Sequence, residues 1–172
     1  MTFDYRYETK FVLTEEALAG FLSWMYVNTS CRKKYPARTV NSVYFDDVNF
    51  TSVRDNLAGV PYRMKTRLRW YISEDGNPIS STPIWEKKLK VGRLGTKETV
   101  KLNNIRNAIL NLPLSEIIML IKEELSDSHS SSFEYLVPTL NVSYVRNYYE
   151  DFRGLRITID EDINFKSHLS ML

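Results

Sequence analysis

The chain has 172 residues, with 23 Lys and Arg against 21 Asp and Glu, a formal charge of +2. That length suits one domain with a real core, and the near balance of charge argues against a uniformly basic nucleic-acid binder. A single cysteine, Cys31, and two isolated histidines, His129 and His168, exclude a disulfide framework and zinc-ligand spacing, which fits reducing, cytoplasmic surroundings.

Residues 3 to 13, "FDYRYETKFVL", open with period-2 alternation, the mark of a strand. Phe3, Tyr5, Tyr7, Phe11 and Leu13 take one face, while Asp4, Arg6, Glu8 and Lys10 take the other. The run contains charges throughout, and no uncharged apolar stretch in the chain approaches the ~18 residues that span a bilayer. A helix follows in "TEEALAGFLSWMYVN". Thr14 can cap it, Glu15 and Glu16 suit the positive end of its dipole, and Leu18, Phe21, Leu22 and Met25 share a face.

Strands are predicted over 38 to 45 and 61 to 72. In the second, "PYRMKTRLRWYI", Arg63, Lys65, Arg67, Arg69 and Tyr71 line one face, while Tyr62, Met64, Leu68, Trp70 and Ile72 line the other. A single strand of this kind reads equally as a solvated cationic face. The pattern recurs, however. "IWEKKLKV" sets Glu86, Lys88 and Lys90 against Trp85, Leu89 and Val91, and "LRITIDED" sets Arg156, Thr158 and Asp160 against Leu155, Ile157 and Ile159. Further strands are predicted over 96 to 102 and 138 to 149 from their β-branched and aromatic content. Residues 103 to 111 suggest a short helix, and a longer one follows Ser115 with Ile117, Ile118, Leu120, Ile121 and Leu125 as its apolar positions. The "SDSHSSS" run at 126 to 132 reads as a polar loop that exposes His129, and His168 is expected in solvent too.

Seven antiparallel-type strands and two or three amphipathic helices predict an α+β fold. If the helices cover the apolar faces, the charged faces turn inward together. A closed or nearly closed sheet of this kind would enclose a channel lined by Arg, Lys and Glu, stable only with water and a polyanion inside.

The runs "RYETKFVL", "VNSVYFDD", "DNLAG" with "YRMKTRLRWY", "WEKKLKVGRLGTKETV", "PTLNVSYVRNYYED" and "LRITIDEDI" resemble, in this order, the VTC domain. This is the polyphosphate polymerase module of vacuolar transporter chaperone proteins, within the CYTH or triphosphate tunnel metalloenzyme superfamily. The resemblance runs from Tyr5 to about Ile163. It implies an antiparallel tunnel of eight strands with helices packed outside. After "LRITIDEDINF" it also implies one more strand with an acidic metal ligand. Residues 1 to 172 are therefore expected to form a single tunnel domain with seven of the eight strands, binding triphosphate or polyphosphate but turning ATP over slowly or not at all.

For function, the resemblance implies transfer of the γ-phosphate of ATP to a growing polyphosphate chain with Mn²⁺ or Mg²⁺. It implies catalytic roles for Lys10, Arg67, Arg69 and Lys88, and substrate binding by Arg6, Lys65, Lys90, Arg146 and Arg156. Arg6 stands where the superfamily's first-strand signature has an acid, which favours phosphate binding there. Metal binding would fall to Glu8, Glu86 and Asp160. Glu86 reads as readily as a cross-strand partner of its basic neighbours, and Asp160 as a turn residue. Tyr44, Tyr71 and Tyr144 read as wall packing.

The partners implied are ATP and polyphosphate or triphosphate, with no nucleic acid, because the strand aromatics are expected opposite the cations. A membrane-protein partner and a homodimer through an open sheet edge are further expectations. A tunnel-type triphosphatase and a noncatalytic polyphosphate-binding module are the competing functions. If Arg67 and Arg69 face a hydrated tunnel, removing either is expected to abolish activity with little loss of stability.

Overall fold

The computed structural model describes residues 8–73, 76–77, 82–92, 94–125 and 133–167. Nine elements follow in chain order: α1 (Glu15–Asn28), β1 (Arg32–Asp46), α2 (Thr51–Leu57), β2 (Tyr62–Ser73), β3 (Ile84–Val91), β4 (Leu94–Lys101), α3 (Leu114–Glu124), β5 (Val137–Glu150) and β6 (Arg156–Ser167). The strands form one antiparallel sheet in the order β4-β3-β2-β1-β5-β6. The fold is thus α+β, and among the described residues the sheet is open, with β4 and β6 at its edges.

The predicted strand over 3 to 13 is not among these six. Residues 1–7 lie outside the described residues, and residues 8–14 carry neither helix nor strand. β1 starts well before the predicted 38 to 45, because register shifts between Lys33 and Tyr35 and between Tyr35 and Arg38 absorb Pro36, which cannot donate to a regular ladder.

α1 begins where the cap predicts, with the Ala17 N–H donating to Thr14 Oγ1 at 3.3 Å. Its buried Met25, with Phe21 and Leu22, packs on Cys31, Tyr149, Ile157 and Ile159 at the β5–β6 side of the sheet. α3 covers the other half of the same face. Ile117 and Ile121 join Val43, Phe45, Leu68 and Trp85, with Ile105 and Ile109 of the connecting segment. Phe45, Trp85 and Phe133 meet at centroid distances of 4.9 to 5.8 Å.

Ser115 lies inside the first turn of α3 rather than capping it; Pro113 holds the cap position. The predicted helix over 103 to 111 is a series of turns, moored when Asn103 and Asn104 donate their N–H groups to the Glu124 carboxylate.

α2 is the helix that hydrophobic periodicity missed. Asp46 accepts the N–H groups of Ser52 and Val53, both at 3.0 Å, while Asp47 accepts those of Asn49 and Thr51. The adjacent carboxylates at the end of β1 thus satisfy donors that a helix start leaves unpaired. With both main clusters on one side of the sheet, the opposite face is left to the charged side chains.

Candidate functional site

Residues directly opposite in an antiparallel ladder lie on the same face, about 4.8 Å apart in the pairing direction. By that rule the cations of β2 belong to two different arrangements. Toward one end of the face, Lys65 stands opposite Lys88 on β3, and Lys88 stands opposite Lys97 on β4. Arg63 stands opposite Lys90 in the next row.

These five cations form no ion pair among the described residues other than Lys88 with Glu8, at 4.0 Å. Partial burial, then Arg63, Lys10, Lys88 and Lys90, holds the Lys65 ammonium below the ordinary lysine range. Like charges set opposite one another destabilise a sheet. A row of three lysines therefore does not contribute to the stability of the sheet as an ion-paired row would.

Two residues further along β2 the situation reverses. Arg67 Nη2 donates to Glu86 Oε1 at 2.8 Å, its Nη1 donates to the Tyr44 hydroxyl at 3.2 Å, and Arg69 Nη2 stands 3.0 Å from Glu86 Oε2. Glu86 is 4 % exposed. Burial opposes its ionisation, yet Arg67 and Arg69 outweigh that and keep its carboxyl below the usual range. The expectation that Arg67 and Arg69 are dispensable for stability is corrected by this geometry. Removing either leaves a buried carboxylate short of a partner, which is costly.

Toward β6, Arg146 grips Asp160 with two hydrogen bonds, Nε to Oδ1 at 2.6 Å and Nη2 to Oδ2 at 2.7 Å. Arg38 meets no carboxylate among the described residues. Its guanidinium lies 5.1, 5.9 and 5.3 Å from the ring centroids of Tyr35, Tyr71 and Tyr148. Tyr44 and Tyr144 likewise accompany Arg67 and Arg146. The expectation that strand aromatics lie opposite the cations is therefore corrected. Tyrosines share the cationic face, because β1 sets Tyr44 opposite Arg67 and β5 carries Tyr144 and Tyr148 at two-residue spacing on either side of Arg146.

Of the predicted site residues, Lys65, Lys88 and Lys90 are brought together, and Lys10 and Glu8 approach them from residues 8 to 10, with Glu8 3.6 Å from Lys10. Arg156 stands apart, largely exposed and 3.8 Å from Glu150. Arg6, His129 and His168 lie outside the described residues. Arg63 and Lys97 are new members of the set. Arg63 was visible as one of four alternating cations, but Lys97 is identified only by the β3–β4 register.

The carboxylates expected to hold metal do not converge. Glu86 is taken up by two arginines and Asp160 by one, and four strand spacings, on the order of 19 Å along the sheet, separate β3 from β6. No group of three potential ligands occurs among the described residues. Among the described residues these carboxylates therefore do not assemble an all-protein cage for Mn²⁺ or Mg²⁺.

An antiparallel sheet with helices on its apolar face and a lysine row on the other defines, among the described residues, an α+β protein with an open cationic face. The family model of the VTC domain matches residues 5–171, and the chain belongs to that family, whose members are related to polyphosphate polymerases. No curated protein sequence matches it. No helix among the described residues is long and apolar enough to cross a membrane.

Proposed function

We propose that the cationic face binds ATP and polyphosphate and transfers the γ-phosphoryl group of ATP to the end of the polyphosphate chain. The observation that carries this reading is the row Lys65, Lys88 and Lys97, backed by Arg63 and Lys90 and almost without acidic partners. Lysine ammoniums act as compact point charges that can follow phosphate oxygens along an extended chain.

Phosphoryl transfer asks for alignment and charge stabilisation rather than a nucleophilic side chain. In the proposed step a terminal oxygen of polyphosphate attacks the γ-phosphorus. A new P–O–P bond forms, the bond to the β,γ-bridging oxygen breaks, and ADP leaves with that oxygen. The lysines hold donor and acceptor in line and offset the negative charge crowded between them. Mn²⁺ or Mg²⁺ belongs to this reading only as a counter-ion carried on the nucleotide's phosphates.

A second reading, a noncatalytic polyphosphate-binding module, draws on the engagement of Glu86 and Asp160 by arginines. Incubation with ATP and Mn²⁺, with products resolved on a gel, separates the readings. Long polymer supports the transferase. Binding of tripolyphosphate without consumption of ATP supports the module, and orthophosphate as the main product would indicate a triphosphatase instead.

A further inference from the structure

α1 is apolar on both sides. Phe21, Leu22 and Met25 pack on the sheet, while Ala17, Gly20, Trp24 and Val27 are exposed on the opposite side. The outer face of a surface helix is ordinarily charged, yet from Ala17 to Asn28 this helix carries no charged side chain. Trp24 and Val27 are left 56 % and 83 % exposed. Apolar side chains grouped on one helix in this way mark an interaction surface, whereas scattered ones do not.

The four exposed positions follow the three-then-four spacing of a coiled-coil seam, and their sizes fit a second copy of the same helix. Gly20 and Ala17 form a shallow side, where a Cβ added at Gly20 would meet no atom within 4 Å beyond the helix's own backbone. Trp24 and Val27 form a raised side, with the Trp24 ring stacked on Phe21 at 6.3 Å between centroids. Two such helices running antiparallel about a two-fold axis, with Gly20 opposite the partner's Trp24, also bring Ala17 opposite the partner's Val27. Large side chains then meet small ones in both pairs, the self-complementarity that a two-fold interface needs.

Charge selects the same orientation. Glu15 and Glu16 mark the N-terminal end of α1. At its C-terminal end stands Lys33, opposite Tyr149, whose ring meets that of Tyr26 at 6.1 Å, so Lys33 is on the helix side of the sheet. Neither the two carboxylates nor Lys33 has an ion-pair partner among the described residues. An antiparallel pair sets the acidic end of each helix beside the basic end of the other, and a parallel pair would set like charges together.

We propose that the outer face of α1 is the contact surface of a homodimer in which two copies pair antiparallel through Gly20 and Trp24. Because α1 covers the apolar face of the sheet, both cationic faces point away from the contact and stay open. A single helix face about 21 Å long buries less than a standard interface, so dissociation is expected in the micromolar range.

Analytical ultracentrifugation of the whole chain across micromolar to millimolar concentrations tests this, with thermal unfolding as the check on folding. Gly20→Phe fills the shallow side and should raise the dissociation constant by about tenfold or more, without destabilising the monomer, where that position faces open space. Lys33→Glu sets like charges together and should weaken the dimer by about threefold, and adding Glu16→Lys should restore it. A wild-type chain that stays monomeric up to millimolar concentration overturns the proposal, even if it carries the Trp24 face onto lipid vesicles. A dimer unmoved by Gly20→Phe overturns it too, since that dimer would join elsewhere, as at a sheet edge. A double variant that dimerises no better than Lys33→Glu overturns the antiparallel pairing and the proposal with it.

Discussion

The Lys65–Lys88–Lys97 row and the Arg67–Glu86–Arg69 group lie on the same face of the same strands, and they use positive charge in opposite ways. The arginines are bound to a buried carboxylate and stabilise the sheet. The lysines face one another without acids between them and cost stability. Two residues along β2 separate the roles. The contrast teaches that the cation density of a strand does not by itself mark unpaired charge; the residue opposite each cation does.

The largest effect expected from breaking this contrast is at Glu86. Glu86→Ala leaves two half-buried guanidiniums without their shared partner and should cost about 3 kcal/mol in urea unfolding. A loss below about 0.5 kcal/mol, the range of ordinary surface changes, would show that the arginines are not structural. The pH dependence has the same origin. Because Glu86 titrates lower in the folded chain than in the unfolded one, its contribution is complete above the ordinary carboxylate pKa. It is lost as pH falls through the lowered value.

Lys88→Ala is the opposite experiment. Tripolyphosphate affinity should fall by about tenfold, or 1.4 kcal/mol, while unfolding stability stays level or rises by about 0.2–1 kcal/mol as like-charge repulsion is relieved. A large loss of stability with binding retained would place Lys88 with the arginines instead.

Lys65 offers a finer readout. Its lowered pKa means that the folded chain carries a cost at neutral pH that is relieved as pH climbs through that value. A polyanion reverses the shift, so tripolyphosphate binding in alkaline buffer should take up protons. Calorimetry in buffers of different ionisation enthalpy measures this, and no uptake would mean that Lys65 does not touch the anion.

The smallest effect is expected at Asp160. Asp160→Asn weakens a pair whose side chains are 25 % and 31 % exposed, and should cost about 1 kcal/mol or less in the same unfolding assay. A loss as large as that of Glu86→Ala would extend the structural arginine group across to β6.

Alternation alone fixed much of the sheet. β3 runs over the predicted residues 84–91, β2 lies within one residue of its prediction, and the apolar sets Leu68 with Trp85 and Ile157 with Ile159 do pack under helices. These features follow from the two-residue period of a strand, which any local window contains. α2 was not legible in that way, because its start depends on Asp46 and Asp47 accepting backbone N–H groups rather than on a repeating apolar face.

The site was legible as a set of cations and not as an arrangement. Arg67 and Lys65 occupy equivalent places in the β2 pattern, and nothing in that pattern says that one meets Glu86 and the other Lys88. The β2–β3 ladder decides those partners, and the β1–β2 and β1–β5 ladders decide which tyrosines join the cationic face. Shifting a strand by one residue would exchange its two faces, so partner identity is a property of the assembled sheet. The sequence determined that the charges share a face; the tertiary structure decided which of them remain free to hold an anion.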